Sequence, residues 1–475
     1  MTKHRGHSQR GTAFVYIGIA MFALVGFTGL AVDLGRGYVI KANLSKAVDA
    51  AALAAARGIG EGQSAARAMA NNIFNVNFPS GYLGVASVQN PPQIVFSDAS
   101  DESSVITVSS RAVMPTTFMR VAGFATLGIT AQSQATRRLV DLSFVVDHSN
   151  SLSSDFDQVK AAAEQFVSYF DPAKDRVALV MFATSTVVMD PINTGGRGFD
   201  KSSLLNHLSG SSTDGGASTS TAEGMYAGWD QLRSVPSSSQ APLRVIVLFT
   251  DGAPNSFSGQ FSVNPCPPFS GGPATGVLFT SDYPAVGNQG TNNPSVTGVC
   301  QAYGAFGYVS PPTYSACTSG PNPNIQFVNP YIPSMPLTSY HPIHVSSNIP
   351  TAFPLYVSGQ RPLINGTGTG YPDHWQNANN AARNLAETIA NAARADISGA
   401  QPIRVYTLGL GGLLNQNAGW ANETGASILM RIANDPASSS FNPNQAEGKY
   451  YFAGDTSQLA SAFEAIRNQI IRISQ

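Results

Sequence analysis

Charge is what this chain has least of. Only 12% of its 475 residues are Asp, Glu, Lys or Arg, about half the usual share for a globular protein. The 27 basic and 28 acidic residues leave a net charge of −1, which excludes the broad basic face of a chain that grips nucleic acid. Cysteine is scarce as well: Cys266, Cys300 and Cys317 are all there is. They allow one disulfide in any of three pairings, or three free thiols, and the sequence does not choose. No CxxC or Cys/His run has zinc spacing, which argues against a structural zinc site. There is no G-x-S-x-G elbow, so serine hydrolase chemistry has no carrier.

Other things are plentiful. Apolar residues make up 43%, with 45 Gly and 30 Pro. The length calls for two or three structural units. Low charge with many small polar residues suits an exported protein better than a cytosolic enzyme.

Gly11–Val32 (GTAFVYIGIAMFALVGFTGLAV) is an uncharged run of 22 residues between Arg10 and Asp33. That is the length of a bilayer span and exceeds a signal-peptide core of about 7–15 residues. The expectation is an uncleaved transmembrane helix over 11–33 behind a short tail, 1–10; a removed signal and a buried soluble helix are the alternatives. Lys3, Arg5 and Arg10 precede the run and Arg36, Lys41 and Lys46 follow it, so basic residues alone do not orient it. The folded bulk lies beyond the span, which places the tail in the cytoplasm.

Leu34–Arg57 is rich in Ala, Leu and Lys, strong helix formers, and Tyr38, Leu44, Val48, Ala51 and Ala55 share a face at helical spacing. A continuous Thr12–Arg57 helix would be ~69 Å long, with Gly35 and Gly37 marking where a break would fall. Such a helix is either pilin-like, half projecting and half buried, or an Ala-rich stalk on its own domain. A second helix after Ala65 and strands at Gln93–Phe96, Val105–Val108, Arg111–Met114 and Ile129–Ser133 complete a small unit over 34–138.

From 139 to 475 the pattern becomes α/β. Apolar strands at Leu142–Val146, Arg176–Ala183, Leu243–Phe249, Ile403–Leu408 and Lys449–Phe452 alternate with helices near Phe156–Phe170, Thr219–Leu232, Trp375–Ala395, Ala426–Ile432 and Thr456–Ile473. Continuous apolar strands separated by helices predict a mostly parallel, Rossmann-like sheet covered on both faces. Ligands of such sheets bind at the carboxyl ends of strands. The first strand ends in Asp147-His148-Ser149-Asn150-Ser151 and the third in Thr250-Asp251-Gly252, while Gly215-Gly216-Ala217-Ser218-Thr219-Ser220-Thr221 opens a helix. Carboxylates and hydroxyls on three loops at one edge are hard oxygen donors for Mg²⁺, with Mn²⁺ or Ca²⁺ as alternatives. The first motif has no second carboxylate of the D-x-D phosphatase kind, so the reading is a binding protein and not an enzyme.

These residues resemble a von Willebrand factor A (vWA) domain with a metal-ion-dependent adhesion site. The resemblance implies Asp147, Ser149, Ser151, Thr219 and Asp251 as metal ligands, with Thr221 in reserve for Thr219, and a vacant coordination position for an acidic side chain of a protein partner. His148 is expected at the rim, facing solvent. Arg10-Gly11, Gly29–Arg36 (GLAVDLGR) and Asp49–Ala54 (DAAALA) are similar to TadG-like proteins of the Tad/Flp pilus system, which join a TadE-type anchor to a vWA domain. That resemblance implies a single-pass protein of a bacterial inner membrane, with its bulk periplasmic or extracellular and with pilus or secretion-apparatus subunits as partners. Counting from Gly11, the position that holds glutamate in prepilin-peptidase substrates holds Tyr16, which favours a resident membrane protein. The alternative is a pseudopilin-like anchor or cap whose metal only stabilises the fold.

One segment departs from α/β texture. Residues 256–372 contain 18 of the 30 prolines and 8 of the 16 tyrosines, with Asp282 and Arg361 their only charges. The expectation is a long insertion that serves either as a partner-binding surface or lid able to overhang the metal edge or as a packed excursion.

Overall fold

The computed structural model describes residues 10–99, 103–183, 186–213, 218–263, 361, 371–396, 401–418 and 423–474, with strand segments at 272–279, 295–297, 325–326, 334–335 and 353–354. Two compact units divide the chain, Met1–Arg137 and Arg138–Ser474.

The first unit is built on helix α1 (Arg10–Gly58), which is continuous. Gly35 and Gly37 do not break it. A side chain at 37 would come within 2.9 Å of Leu127, so that glycine permits close packing. The first half of the helix exposes its apolar side chains; in the second half Ile40, Leu44, Val48, Ala51 and Ala55 are buried. Tyr38, expected on that face, is exposed and Ile40 takes its place. Helix α2 (Gln63–Asn77) buries Ala66, Ala70 and Phe74, four residues apart, in the same core.

An antiparallel sheet completes this core. Strand β3 (Ser104–Pro115) pairs along its length with β4 (Thr126–Arg137), and on its other edge with β1 (Ser87–Val88) and β2 (Gln93–Asp98). The two short strands expected within 105–114 are one. The Ser109-Ser110 pair that reads as a gap continues the ladder, and the buried Ser110 hydroxyl donates to the Gln89 carbonyl at 2.9 Å.

The second unit is the doubly wound sheet that the sequence predicts. Its strands β5 (Val140–Asp147), β6 (Arg176–Phe182), β7 (Thr186–Asp190), β8 (Leu243–Thr250), β11 (Ile403–Leu410) and β12 (Lys449–Ala453) lie in the order β12-β11-β8-β5-β6-β7. All neighbours are parallel except β7, which is antiparallel to β6. Every residue of β5, β6 and β8 is buried, as expected of a sheet covered on both faces.

Alternate side chains divide between two cores. Leu142, Phe144 and Val146 pack with helices α3 (Phe156–Ser168), α4 (Lys201–Gly210) and α8 (Leu459–Ser474). Val145 packs with α5 (Thr221–Ser234), α6 (Tyr371–Arg394) and α7 (Gly425–Ala433). Both β7 and α4 escape the sequence reading.

The insertion begins as a β-hairpin. Strand β9 (Ser256–Val263) leaves β8 almost directly and pairs antiparallel with β10 (Gly272–Phe279). Segments 295–297 and 325–326 extend these into a four-stranded sheet. The three cysteines and most of 256–372 lie outside the described residues. Arg361, near the insertion's end, is buried.

Candidate functional site

Chain order fixes where the loops meet. From β5 the chain winds to β6 on one side, and later returns to β8 on the other. The carboxyl ends of β5 and β8 therefore flank the sheet's switch point, where the crossovers diverge and a crevice opens. Asp147 ends β5 and Asp251 follows β8.

The loops interlock by hydrogen bonds. Asp147 is fully buried; its Oδ1 accepts from the Ser149 N–H at 2.8 Å and its Oδ2 from the Thr250 hydroxyl at 2.6 Å. Ser149 Oγ lies 3.0 Å from Ser151 Oγ, and Ser151 Oγ donates to Asp251 Oδ1 at 2.9 Å. Thr219 arrives on the third loop. Its N–H donates to Asn255 Oδ1 at 2.7 Å, and the Asn255 N–H donates back to the Thr219 carbonyl at 3.2 Å. Its hydroxyl faces the Asp251-Gly252 turn, where a Cβ built on Gly252 would lie 3.4 Å away.

Four of the five sequence-derived residues thus join one hydrogen-bonded set, and Thr219 stands against its edge. Thr221, the reserve, is the first residue of α5, with its hydroxyl buried and unpartnered, as is that of Ser220. Gly215 and Gly216 lie outside the described residues. His148 corrects an expectation: it is buried, with Nδ1 3.0 Å from the Ser212 carbonyl. Its backbone N–H is drawn inward to Phe182 at 2.9 Å.

Sequence reasoning missed Thr250 and Asn255. Thr250 adjoins the aspartate that drew attention, and its hydroxyl also accepts from the Gly252 N–H at 3.1 Å. Asn255 carries no local signal, since its partner is 36 residues away.

Electrostatics distinguish this edge from the rest of the domain. Burial pushes the Asp147 carboxyl above the usual carboxylate range despite the bonds from Thr250 and Ser149. Burial, and then the charge of Asp147, pushes Asp251 up to about 7. Among the described residues, no Lys or Arg pairs with either. At the opposite end of β5, Asp141 is as deeply buried but is bonded by Arg176 at 3.3 Å and Arg197 at 2.8 Å. The domain thus supplies cations to one buried aspartate and withholds them from two. Two carboxylates with hydroxyls and no counter-charge fit a hard divalent cation. No group of three or more His, Cys, Asp or Glu comes together among the described residues, so a cation here would depend on the hydroxyls.

A mostly parallel sheet with acidic and hydroxylic loops at its switch point has the architecture of a vWA domain, and the comparisons agree. Residues 141–266 match the model of the von Willebrand factor type A domain, and residues 11–58 match that of the Flp pilus-assembly TadE/G-like family. The chain joins a TadE/G-like N-terminal segment to a vWA domain.

No curated protein matches the sequence. Among solved structures, the chain resembles two crystal forms of proximal thread matrix protein 1 from the mussel byssus, at 10% and 11% identity and a TM-score of 0.32. It covers 70% of itself there but only 46% and 47% of those chains, less than half of their length. The PilB minor pilin from Streptococcus sanguinis is 14% identical, with 81% of this chain and 78% of that one covered and a TM-score of 0.36. The vWF domain of the type V pili tip protein Mfa5 from Porphyromonas gingivalis is also 14% identical, with 72% and 98% covered and a TM-score of 0.36. At such identities and scores nothing about ligands follows from these likenesses.

Proposed function

We propose that this chain is a membrane-anchored pilus-assembly or adhesion protein that captures a protein partner through a divalent cation held by Asp147, Ser149, Ser151, Thr219 and Asp251. One observation carries the reading: Asp147 and Asp251 are buried beside one another without a cationic partner, whereas Asp141 in the same strand has two. Mg²⁺ suits such oxygen donors, because it needs few protein carboxylates and retains open positions. When bound, the cation would offer such a position to an Asp or Glu of the partner. The chain's own residues hold their oxygens toward the crevice. Thr250 orients Asp147, Asn255 fixes the Thr219 loop, and Ser151 ties the first loop to Asp251.

Helix α1 supports placement at a membrane. It is long and apolar enough to cross one, and its first half leaves its side chains uncovered. The TadE/G-like match supports pilus proteins as partners; a cytoplasmic N-terminus in a bacterial inner membrane is part of the proposal, with the folded bulk on the far side of the span. Capture of subunits by the full chain in detergent, with Mg²⁺ and with EDTA, tests the proposal. Equal capture in both would refute it.

The second reading, a pseudopilin-like anchor or cap, draws on the build of α1, free in its first half and packed on its own sheet in its second. Cross-links to pilins from the helix face around Tyr38, but none from the metal edge, would favour it.

A further inference from the structure

The hairpin loop between β3 and β4, residues 116–125, reads TTFMRVAGFA and holds one charge, Arg120. Phe118, Val121 and Phe124 are exposed by 43%, 83% and 62%. A loop tip in water gains nothing from three such side chains, so their position on α1 matters. Phe118 lies on Gly29, where a Cβ would come within 2.4 Å of the phenylalanine. Gly29 is inside the uncharged run Gly11–Val32, which at 1.5 Å per residue is ~33 Å long, against a hydrocarbon core of about 30 Å. The loop therefore flanks the helix about one turn short of the end of its apolar run.

The loop's polar groups are arranged to match. Asp33, just past the run, is fully buried, and its carboxylate accepts from the N–H groups of Thr117 at 3.0 Å and of Phe118 and Met119 at 2.8 Å. The N–H groups of Thr116, Val121, Gly123 and Phe124 go to carbonyls within the loop. Backbone donors satisfied internally can enter a lipid boundary at little cost, and a carboxylate so enclosed does not meet lipid. Arg120, on its long stem, can reach the phosphate level from that depth.

We infer that the 116–125 loop is a second membrane element, inserting Phe118, Val121 and Phe124 into the bilayer interface beside the anchor, with anionic lipid headgroups around Arg120. The inference rests on α1 spanning the membrane. Its occupant is lipid because the patch continues the helix's own uncovered apolar surface, Leu30, Val32 and Leu34 included.

The test uses the full chain in nanodiscs of phosphatidylethanolamine and phosphatidylglycerol, with benzoylphenylalanine placed singly at 22, 76, 121 or 124. Phe22 lies in the apolar run, and Val76 is an exposed residue of α2. Photolysis followed by mass spectrometry is expected to give lipid adducts at 22, 121 and 124 and only background at 76. Adducts at 22 without adducts at 121 and 124 overturn the loop insertion and leave the anchor standing. No adduct at 22 overturns the anchor and this inference with it. Cross-links at 121 to a second copy of the chain, in place of lipid, overturn the choice of occupant.

Discussion

Ser151 donates its hydroxyl to Asp251 across 100 residues of sequence, at 2.9 Å. The bond joins the loop after β5 to the loop after β8, and Ser149, 3.0 Å from Ser151, extends it toward Asp147. Oxygens on loops that follow separate strands are thus held together by the fold's own hydrogen bonds. That preorganisation is what a rigid sheet edge provides and a mobile loop does not.

Asp147→Ala should abolish divalent binding while leaving the domain folded. The substitution removes a buried carboxylate that has no cationic partner, so the desolvation cost it relieves offsets the hydrogen bonds from Ser149 and Thr250 that it loses. In the parent protein, Mg²⁺ at 100 times its dissociation constant should stabilise the domain by about 2.7 kcal/mol, read as a rise in melting temperature. The variant should remain cooperatively folded and show no such rise. A full Mg²⁺ shift in the variant would sink the metal assignment.

Asn255→Ala should weaken the same binding without touching a proposed ligand. Asn255 holds the Thr219 loop by two hydrogen bonds, one from each backbone. Supporting groups of this kind typically change metal affinity 10- to 100-fold, so a loss of roughly that size is expected by calorimetry. Unchanged affinity would mean that Thr219 is positioned by something else.

The metal-free domain should lose stability as the pH rises from 4 to 7. Asp251 titrates at about 7 in the folded chain against an ordinary value of 3.8. Between those values the folded state holds a proton that the unfolded state has released. The extra stability is complete below 3.8 and gone above 7, with a slope of at most about 1.4 kcal/mol per pH unit. Chemical denaturation in EDTA across that range checks the slope. With Mg²⁺ the trend should flatten or reverse, because the cation competes with the proton. Asp251→Asn should remove this component of the slope.

The α/β alternation was legible because each central strand is a continuous apolar run, and Asp147 and Asp251 were legible because each interrupts such a run. What escaped was either weakly apolar or settled at long range. Strand β7 is only half buried beyond Thr186, and α4 buries just Leu204 and Leu208, too little contrast for a periodic signal. The pairing of Asn255 with Thr219, and the inward turn of His148 toward Ser212, depend on loops from different strands meeting at the switch point. No local pattern encodes such meetings.

Gly228→Ala should destabilise the second unit despite improving helix propensity. A Cβ at 228 would stand 2.6 Å from Val145 Cγ2 and 3.1 Å from Ser143 Oγ, on the face of α5 that packs on β5. Overpacking of this kind costs about 1–3 kcal/mol, against a propensity gain of about 1 kcal/mol. Gly210→Ala, in α4, meets no atom within 4 Å and should be neutral or stabilising. Denaturation midpoints of the two variants should therefore move apart, and equal midpoints would contradict this packing.

Glu423→Gln should unlock the end of the insertion. Arg361 donates to Glu423 and, at 2.7 Å, to Glu387 of α6, while Arg431 of α7 bonds both carboxylates. The Arg361 backbone is held in turn by Asn384, whose Nδ2 donates to its carbonyl at 2.7 Å. Burial alone would raise the Glu423 carboxyl, yet the hydrogen bond and charge of Arg361, with the charges of Arg431 and Arg383, hold it at about 2. Removing one partner from such a buried set costs about 3–5 kcal/mol. Because the folded value lies below the ordinary 4.5, the carboxylate's contribution is complete above 4.5 and fades as the pH falls toward 2. The gap between parent and Glu423→Gln should therefore be widest at neutral pH and narrow in acid. A gap unchanged between pH 7 and pH 2 would mean that the glutamine disturbs packing and that the ion pairs contribute little.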